Sequence, residues 1–217
     1  MKFLARGRAA EVFEHSPGRV LRRYFRPENT AREAAVMAYA RERGYPIPAV
    51  EVLSDTEMLL EKIDGPTMLE DLVRRPWLAG SHARTLAGLH RRLHAIEAPP
   101  WLDAFGEGGA LLHLDLHPAN VMLGTRGPVV IDWPNARRGA GEADVAYAWL
   151  IMATSDTTGT PRPLLVAAIR GLFVRAFLSH FDRGSLEGVL PLCARARTAD
   201  LNVHDSERMR IRRLARI

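Results

Sequence analysis

Three oxygen-bearing side chains, at Asp115, Asn120 and Asp132, are spaced so that folding can bring them together. Asp115 and Asn120 lie in the segment HLDLHPAN, and Asp132 follows the run PVVI. Between Asn120 and Asp132, two apolar runs flank the four-residue turn GTRG, which predicts a β-hairpin. In that hairpin Asn120 enters the first strand and Asp132 leaves the second at the same end. Because paired strands lie about 5 Å apart, the two side chains can share a divalent cation.

This arrangement suits phosphoryl transfer. Asp115 lies five residues before Asn120 on a turn-prone His-Pro segment, so we expect it to face both the cation and a substrate hydroxyl. The reaction needs two oxygen ligands for magnesium and a carboxylate that orients or deprotonates the acceptor. The alternative is a hairpin whose Asp and Asn only cap turns, although the complete spacing arises rarely without the chemistry.

The sequence HLDLHPANVML followed by VVIDW resembles the aminoglycoside phosphotransferase and choline kinase-like family, small-molecule relatives of the protein kinases. The spacing H-x-D-x-x-x-x-N is that of the protein-kinase catalytic loop. The second His and the Pro inside the loop, and IDW in place of Asp-Phe-Gly, are typical of the small-molecule family. The resemblance implies that Asp115 is the catalytic base, that Asn120 and Asp132 bind the metal, and that His113 supports the loop.

The resemblance also implies an α+β, bilobal protein kinase-like fold. The first sixty or so residues predict three strands, a helix and two further strands, the element order of a kinase-like small lobe. We expect residues 1–63 to form an N-lobe with a small antiparallel sheet and one helix, which binds nucleotide. We expect residues 64–217 to form a larger, mainly helical C-lobe with the catalytic loop, the β-hairpin, the metal site and the acceptor-binding helices.

Apolar spacing and composition predict further helices in this C-lobe, at residues 86–96, 142–152, 163–181 and 185–198. The C-terminal segment ERMRIRRLARI has a partial apolar stripe formed by Met209, Ile211, Leu214 and Ile217. We expect it to be a helix with a solvated basic face.

The nucleotide-phosphate contacts are implied by the resemblance alone. Gly7 is the single glycine in the turn between the first two strands, where Arg6 and Arg8 either touch phosphate oxygens or are solvated. The third strand, VLRRY, has no Lys for the α- and β-phosphates. Arg22, or as second choice Arg23, takes its place.

Glu33, on the following helix, is the expected partner of Arg22. The alternative is that Arg22 and Glu33 form a surface ion pair of little consequence. The resemblance further implies that the backbone of a hinge containing Glu61 and Ile63 reads adenine. Asp144 either supports the backbone of the catalytic loop or caps a helix.

His90 and His94 are four residues apart, a spacing that can bind zinc from one helical face. No Glu follows in H-E-x-x-H order and no third ligand is evident in the sequence. We therefore expect both histidines to pack beside the catalytic loop.

The composition, with 47% apolar and 25% charged residues, is that of an ordinary globular protein. No stretch approaches the ~20 apolar residues of a membrane span, and charges interrupt the N-terminus too early for a secretory leader. The single cysteine, Cys193, excludes an internal disulfide and a cysteine-based zinc site. We therefore expect a cytoplasmic protein with no membrane partner.

The formal charge of +5 is carried almost entirely by arginine, since only Lys2 and Lys62 are lysines. The arginines are scattered, with no interleaved aromatic residues on which bases could stack. Nucleic-acid binding is therefore the last-ranked hypothesis.

These observations predict an ATP- and Mg²⁺-dependent phosphotransferase that moves the γ-phosphoryl group to a hydroxyl of a small-molecule acceptor. The alternative is a pseudokinase that binds a nucleotide or another ligand without turnover. It is considered because the phosphate loop has a single glycine and the third strand has no Lys. The mixed charges of the second half of the chain do not favour a polycationic antibiotic over a sugar, an amino alcohol or a nucleoside. ATP versus GTP and the oligomeric state stay open.

Overall fold

The structure is a computed structural model that describes residues 1–7, 9–155, 163–200 and 203–217, with the backbone alone for 163–165; Arg8 therefore lies outside the described residues. The predicted α+β class is confirmed, with an antiparallel sheet in the N-terminal region and mostly helices after it. The N-terminal elements are β1 (Lys2–Arg6), β2 (Ala10–Ser16), β3 (Arg19–Tyr24), α1 (Thr30–Glu42), β4 (Val50–Val52) and β5 (Glu57–Glu61).

The N-terminal sheet has the strand order β1-β2-β3-β5-β4, and all neighbouring strands are antiparallel. Helix α1 begins after Asn29, whose side chain accepts a hydrogen bond from the Arg32 amide at 3.0 Å. The helix is followed by Gly44, whose positive φ of 77° favours glycine. Val36 and Met58, from α1 and β5, are buried in the hydrophobic core.

In chain order, the described part of the C-terminal region has two α-helices, then five short strands, then four α-helices. They are α2 (Met68–Arg74), α3 (Ala79–His94), β6 (Ala104–Phe105), β7 (Ala110–Leu112), β8 (Val121–Gly124), β9 (Gly127–Val130), β10 (Arg137–Gly139), α4 (Gly141–Thr154), α5 (Pro163–Leu178), α6 (Arg183–Ala199) and α7 (Asp205–Ala215). Helices α4, α5 and α6 correspond to three of the predicted helices, with ends that differ by at most three residues. None of the helices in the described ranges has the length and apolar character that a bilayer span requires.

Strands β6, β7 and β10 form a three-stranded sheet that the sequence did not predict. Strand β10 is parallel to β6 and antiparallel to β7. Each strand has only two or three residues, too few for an alternating pattern to stand out. The sheet matters for the site because the catalytic-loop segment, residues 113–120, starts directly after β7.

Helix α7 confirms the predicted C-terminal helix, and its basic face is exposed at Arg212 and Arg213 but half-buried at Arg208 and Arg210. The Arg208 guanidinium donates to the Asp200 carbonyl at 2.8 Å, and Arg210 donates to the Thr154 carbonyl at 2.8 Å. Both carbonyls lie at the C-terminal ends of helices, where cations are stabilised. The predicted apolar stripe is only partly buried, since Ile211 is in the core but Met209 is 67% exposed.

Candidate active site

The catalytic-loop segment brings Asp115 and Asn120 into direct contact. The Asn120 Nδ2 atom donates to the Asp115 carboxylate oxygen Oδ2 and to the Asp115 backbone carbonyl, both at 2.9 Å. No hydrogen bond to Asn120 Oδ1 is present within the described parts of the chain. The amide is therefore oriented with its nitrogen on Asp115 and its oxygen available for another partner.

His117 holds the second oxygen of Asp115. Its Nδ1 atom accepts a hydrogen bond from the Ala119 amide at 3.2 Å. In the neutral ring the proton is therefore on Nε2, which lies 3.4 Å from Asp115 Oδ1 and can donate to it. Burial raises the pKa of Asp115, but the hydrogen bond and charge of His117 outweigh it, so the pKa lies below its usual value.

This contact of His117 with Asp115 was not predicted from the sequence. The signal that could have identified it is local, because His117 lies two residues after Asp115 and directly before a proline. The His117 backbone is extended, with φ −134° and ψ 171°, as the residue before a proline favours.

The predicted hairpin forms with a shorter turn than expected. Strands β8 and β9 pair through Gly124 and Gly127, so the turn consists of only two residues instead of four. At the other end of the hairpin, the Ile131 amide donates to the Asn120 carbonyl at 3.0 Å. Asn120 and Asp132 therefore lie at the same end of the hairpin. Asp132 has a φ of 70°, which is uncommon outside glycine.

Arg22 joins Asp132 to Glu33 and so connects the N-terminal sheet to the hairpin. Its two terminal nitrogens lie 3.2 Å from Glu33 Oε1 and 2.5 Å from Asp132 Oδ1. Burial lowers the pKa of Arg22, but the two carboxylates outweigh it and raise the pKa above its ordinary value. Arg23 pairs instead with Glu57 at 2.7 Å, on the more exposed face of β3. The geometry therefore favours Arg22 over Arg23 for the phosphate-binding role.

Glu33 is almost completely buried and is held by two further donors. The Tyr24 hydroxyl donates to Oε2, and the Trp133 amide donates to Oε1 at 3.1 Å. Because the Glu33 side chain is only 4% exposed, the pair with Arg22 is not the surface ion pair considered as the alternative. Glu33 instead connects α1, β3 and the residue after Asp132.

His113 is fully buried behind the loop. Its Nε2 atom lies 3.2 Å from the Ile131 carbonyl, and the ring packs on Trp133 with 4.5 Å between centroids. Because a carbonyl can only accept, Nε2 carries the proton. These contacts hold the start of the loop against the residues just before and after Asp132.

Asp144 lies in α4 and supports the loop backbone. Its Oδ1 atom accepts a hydrogen bond from the Leu114 amide at 2.6 Å, where Leu114 has a φ of 57°. The alternative role as a helix N-cap is wrong, because Ala140 holds that position and no side chain caps the helix. The Asp144 contact stabilises the left-handed conformation of Leu114 immediately before Asp115.

The other residues predicted to surround the nucleotide lie in the turn between β1 and β2 and at the end of β5. The Gly7 amide donates to the Ala10 carbonyl at 2.8 Å, and Arg6 pairs with Glu11 at 3.5 Å. These bonds close the turn between β1 and β2. The nearby Arg6 charge is therefore partly neutralised by Glu11, although its side chain remains exposed.

The predicted hinge, which contains Glu61 and Ile63, begins at the end of β5 and continues past it. The Glu61 amide donates to the Ala49 carbonyl at 2.8 Å, so this amide is not available to a ligand. The Glu61 side chain accepts from Arg126 at 2.8 Å, which connects the hinge to the hairpin turn. Among the described residues, the Ile63 amide has no backbone partner, and its adenine-binding role stays a prediction.

Comparison with known proteins confirms the resemblance inferred from the loop. Residues 108–187 match the model of the phosphotransferase enzyme family. No curated protein matches the chain in sequence.

Solved structures match over nearly the whole chain. A choline/ethanolamine kinase family protein from Mesorhizobium loti superposes with a TM-score of 0.65 at 17% identity, covering 97% of this chain and 86% of that one. An ethanolamine kinase from Plasmodium vivax gives 0.59 at 12% identity, covering 100% and 82%. The ternary complex of APH(2″)-IIa with streptomycin and ATP gives 0.56 at 14% identity, covering 100% and 90%. Over residues 108–187 the chain thus matches the phosphotransferase enzyme family, and over almost its full length it has the kinase-like fold of these proteins.

Proposed function

We propose that the protein is a kinase that transfers the γ-phosphoryl group of ATP to a hydroxyl of a small molecule. The observation that carries the proposal is the arrangement of Asp115, Asn120 and Asp132 at one end of the hairpin, with Arg22 on Asp132. Support for the nucleotide comes from a similar structure that contains ATP and streptomycin. Support for a small hydroxyl compound comes from the same complex and from the similar ethanolamine kinase.

The oxygen atoms that Asn120 and Asp132 offer as ligands fit magnesium. Mg²⁺ prefers oxygen ligands and is usually bound through one or two protein carboxylates or amide oxygens together with phosphates. Asn120 offers its Oδ1 atom, because its nitrogen is engaged by Asp115. Asp132 offers a carboxylate that is 35% exposed. When bound, the ion would neutralise charge on the phosphates.

The protein residues would act mainly by positioning and electrostatics. Asp115 orients the acceptor hydroxyl and takes its proton as the oxygen–phosphorus bond forms and the β–γ bridge bond breaks. Arg22, oriented by Glu33, neutralises charge on the α- and β-phosphate oxygens. His117 and Asn120 hold the Asp115 carboxylate in place, so little reorganisation is needed when the acceptor arrives. The boundary between residues 63 and 64 would separate a nucleotide-binding lobe from an acceptor-binding lobe.

The second candidate is a pseudokinase that binds nucleotide without turnover. It is favoured by the single glycine of the phosphate loop and by Arg22 in place of Lys. The complete set of polar residues around Asp115 argues against a pseudokinase, because a protein that only binds a ligand does not need them.

The test is the substitution Asp115→Asn. It removes the proton acceptor but keeps the shape, so we expect turnover to fall by about 10²–10⁴-fold, with nucleotide binding preserved. Turnover is measured as ADP release across a library of hydroxyl compounds, and nucleotide binding by calorimetry with Mg²⁺. Asp55→Asn, on the exposed surface of the N-terminal region, is the matched control. Unchanged turnover in Asp115→Asn would reject the assignment, and no turnover in the native protein with intact ATP binding would favour the pseudokinase.

A further inference from the structure

A second group of metal-ligating side chains lies behind the catalytic loop, outside the proposed phosphate-transfer site. His90 and His94 belong to α3 and Asp144 to α4. Each of the three residues has one potential metal-ligand atom, and these three atoms lie within 4.8 Å of one another. Asp144 Oδ2 is 3.5 Å from His90 Nδ1 and 3.0 Å from His94 Nε2. Asp144 thus supplies the third ligand that was not evident in the sequence.

The protonation of His90 leaves an unsatisfied atom in this group. His90 Nε2 lies 3.2 Å from the Leu116 carbonyl, which can only accept, so Nε2 carries the proton. In the neutral ring Nδ1 then has a lone pair, and this fully buried atom has no hydrogen-bond partner among the described residues. It faces the lone pairs of the Asp144 carboxylate. A cation between the two groups would satisfy both, whereas buried polar atoms are normally paired.

The distances suit a small tetrahedral ion. Zinc bonds to nitrogen and oxygen of about 2.0–2.2 Å place neighbouring ligand atoms roughly 3.3–3.5 Å apart. The two measured separations from Asp144 Oδ2, 3.5 and 3.0 Å, are close to this value. Two histidine nitrogens, one carboxylate oxygen and a position for water form a common zinc ligand set.

Supporting hydrogen bonds and an access route are also present. His90 donates its Nε2 proton to the Leu116 carbonyl, and Asp144 Oδ1 accepts a hydrogen bond from the Leu114 amide. Ligands in metal sites are usually oriented by such bonds. His94, the least buried of the three ligands, lines a surface cavity of about 410 Å³ through which an ion could enter.

We propose that His90, His94 and Asp144 bind a divalent transition-metal ion, with Zn²⁺ as the best match. The ion ties α3 and α4 to the backbone on both sides of Asp115, through Leu114 and Leu116. The role is structural positioning of the loop, and the site is independent of whether the protein transfers phosphate.

The experiment measures zinc binding by the full chain after removal of metals with a chelator. Re-addition of Zn²⁺ at about 100 times its Kd should raise the Tm by roughly 5–10 °C, and elemental analysis should recover about one zinc ion per chain, as expected for one three-ligand site. Loss of a residue that only orients a metal ligand typically weakens metal binding by roughly 10–100-fold. Because His94→Gln removes a ligand itself, it should weaken zinc binding by more than this. His82→Gln is the matched control, because His82 is also a buried histidine of α3 but pairs with Asp71.

Two further variants make the result unambiguous. Asp132→Asn, in the proposed magnesium site, should keep the zinc-dependent rise in Tm. If His94→Gln fails to fold, His90→Asn replaces it, with the absorption spectrum of the Co²⁺-loaded protein as readout. A native protein without a zinc-dependent shift overturns the proposal, as does an equal shift in His94→Gln or a shift lost in Asp132→Asn.

Discussion

At the scale of single residues, the carboxylate of Asp115, the proposed catalytic base, is fixed through both of its oxygens. Asn120 binds one oxygen at 2.9 Å, and His117 lies 3.4 Å from the other. A carboxylate has about four lone-pair positions, so a hydroxyl can still donate to it. A base held in this way needs little reorganisation when the acceptor binds, which is the property that accelerates reactions in preorganised sites.

The function of His117 can be tested with two substitutions. His117→Ala removes the donor to Asp115, so we expect kcat to fall by about 10–100-fold because the base is misplaced. His117→Gln keeps a side-chain N–H donor and should recover part of the loss. His15→Ala, at an exposed histidine, is the control.

The pH profile gives a second readout for His117. His117 lowers the pKa of Asp115, and the base must be ionised to act. Activity is therefore present above this pKa and is lost as the pH falls through it. His117→Ala should raise the pKa and move the acidic limb of the kcat profile to higher pH. An unmoved limb would show that His117 does not act on Asp115.

Prediction from sequence worked best for residues that are close together in the chain. Asp115, Asn120 and Asp132 belong to one loop and one hairpin, so their spacing alone predicted their proximity. The contact between His94 and Asp144 joins residues 50 positions apart and leaves no local pattern. The same reason explains why the sequence could not show that Arg22, rather than Arg23, reaches Asp132.

At the scale of elements, the segment that leads from the hinge to α2 packs tightly on the hairpin. Gly65 has a φ of 152°, and a Cβ atom there would lie 2.1 Å from the Leu123 carbonyl oxygen. The Pro66 carbonyl accepts from the Leu123 amide at 2.8 Å. This contact sets the position of β8, and therefore of Asn120 at its start.

Gly65→Ala should destabilise the protein by about 3 kcal/mol, because backbone strain and a backbone clash add together. Urea unfolding monitored by circular dichroism measures the loss. Gly88→Ala is the matched control. Gly88 lies inside α3 with open space where a Cβ would be, so the substitution should stabilise the helix by about 0.5–1 kcal/mol. Equal effects of the two substitutions would contradict the close packing at Gly65.

Element prediction failed where tertiary contacts replace local pattern. Strands β6, β7 and β10 exist only through their pairing with one another, and two or three residues carry no periodic signal. In α7 the charge pattern predicted solvated arginines, but Arg208 and Arg210 bind carbonyls at the ends of α6 and α4. Long Arg side chains can reach such distant acceptors, which sequence spacing does not reveal.

At the scale of the whole molecule, the ionic contacts of Arg22 connect the N-terminal sheet to the helical region. Arg22 and Asp132 are 110 residues apart and are brought together only by the complete fold. The same guanidinium is held by Glu33, which also accepts from the Trp133 amide. The position of Arg22 over the phosphates and the position of Asp132 at the metal would therefore depend on each other.

This coupling predicts a large effect of Arg22→Ala. The substitution leaves Glu33 buried without its cation, so we expect the free energy of unfolding to fall by about 3 kcal/mol. This is the low end for a broken buried ion pair, because the other partner, Asp132, is partly exposed. Urea unfolding measures this loss, and calorimetry should show weaker binding of ATP with Mg²⁺. Arg23→Ala removes a surface ion pair with Glu57 and a cation–π contact with Phe13, and should cost about 1 kcal/mol. A larger effect of Arg23→Ala on stability and ATP affinity would show that the neighbouring arginine, and not Arg22, joins the two regions.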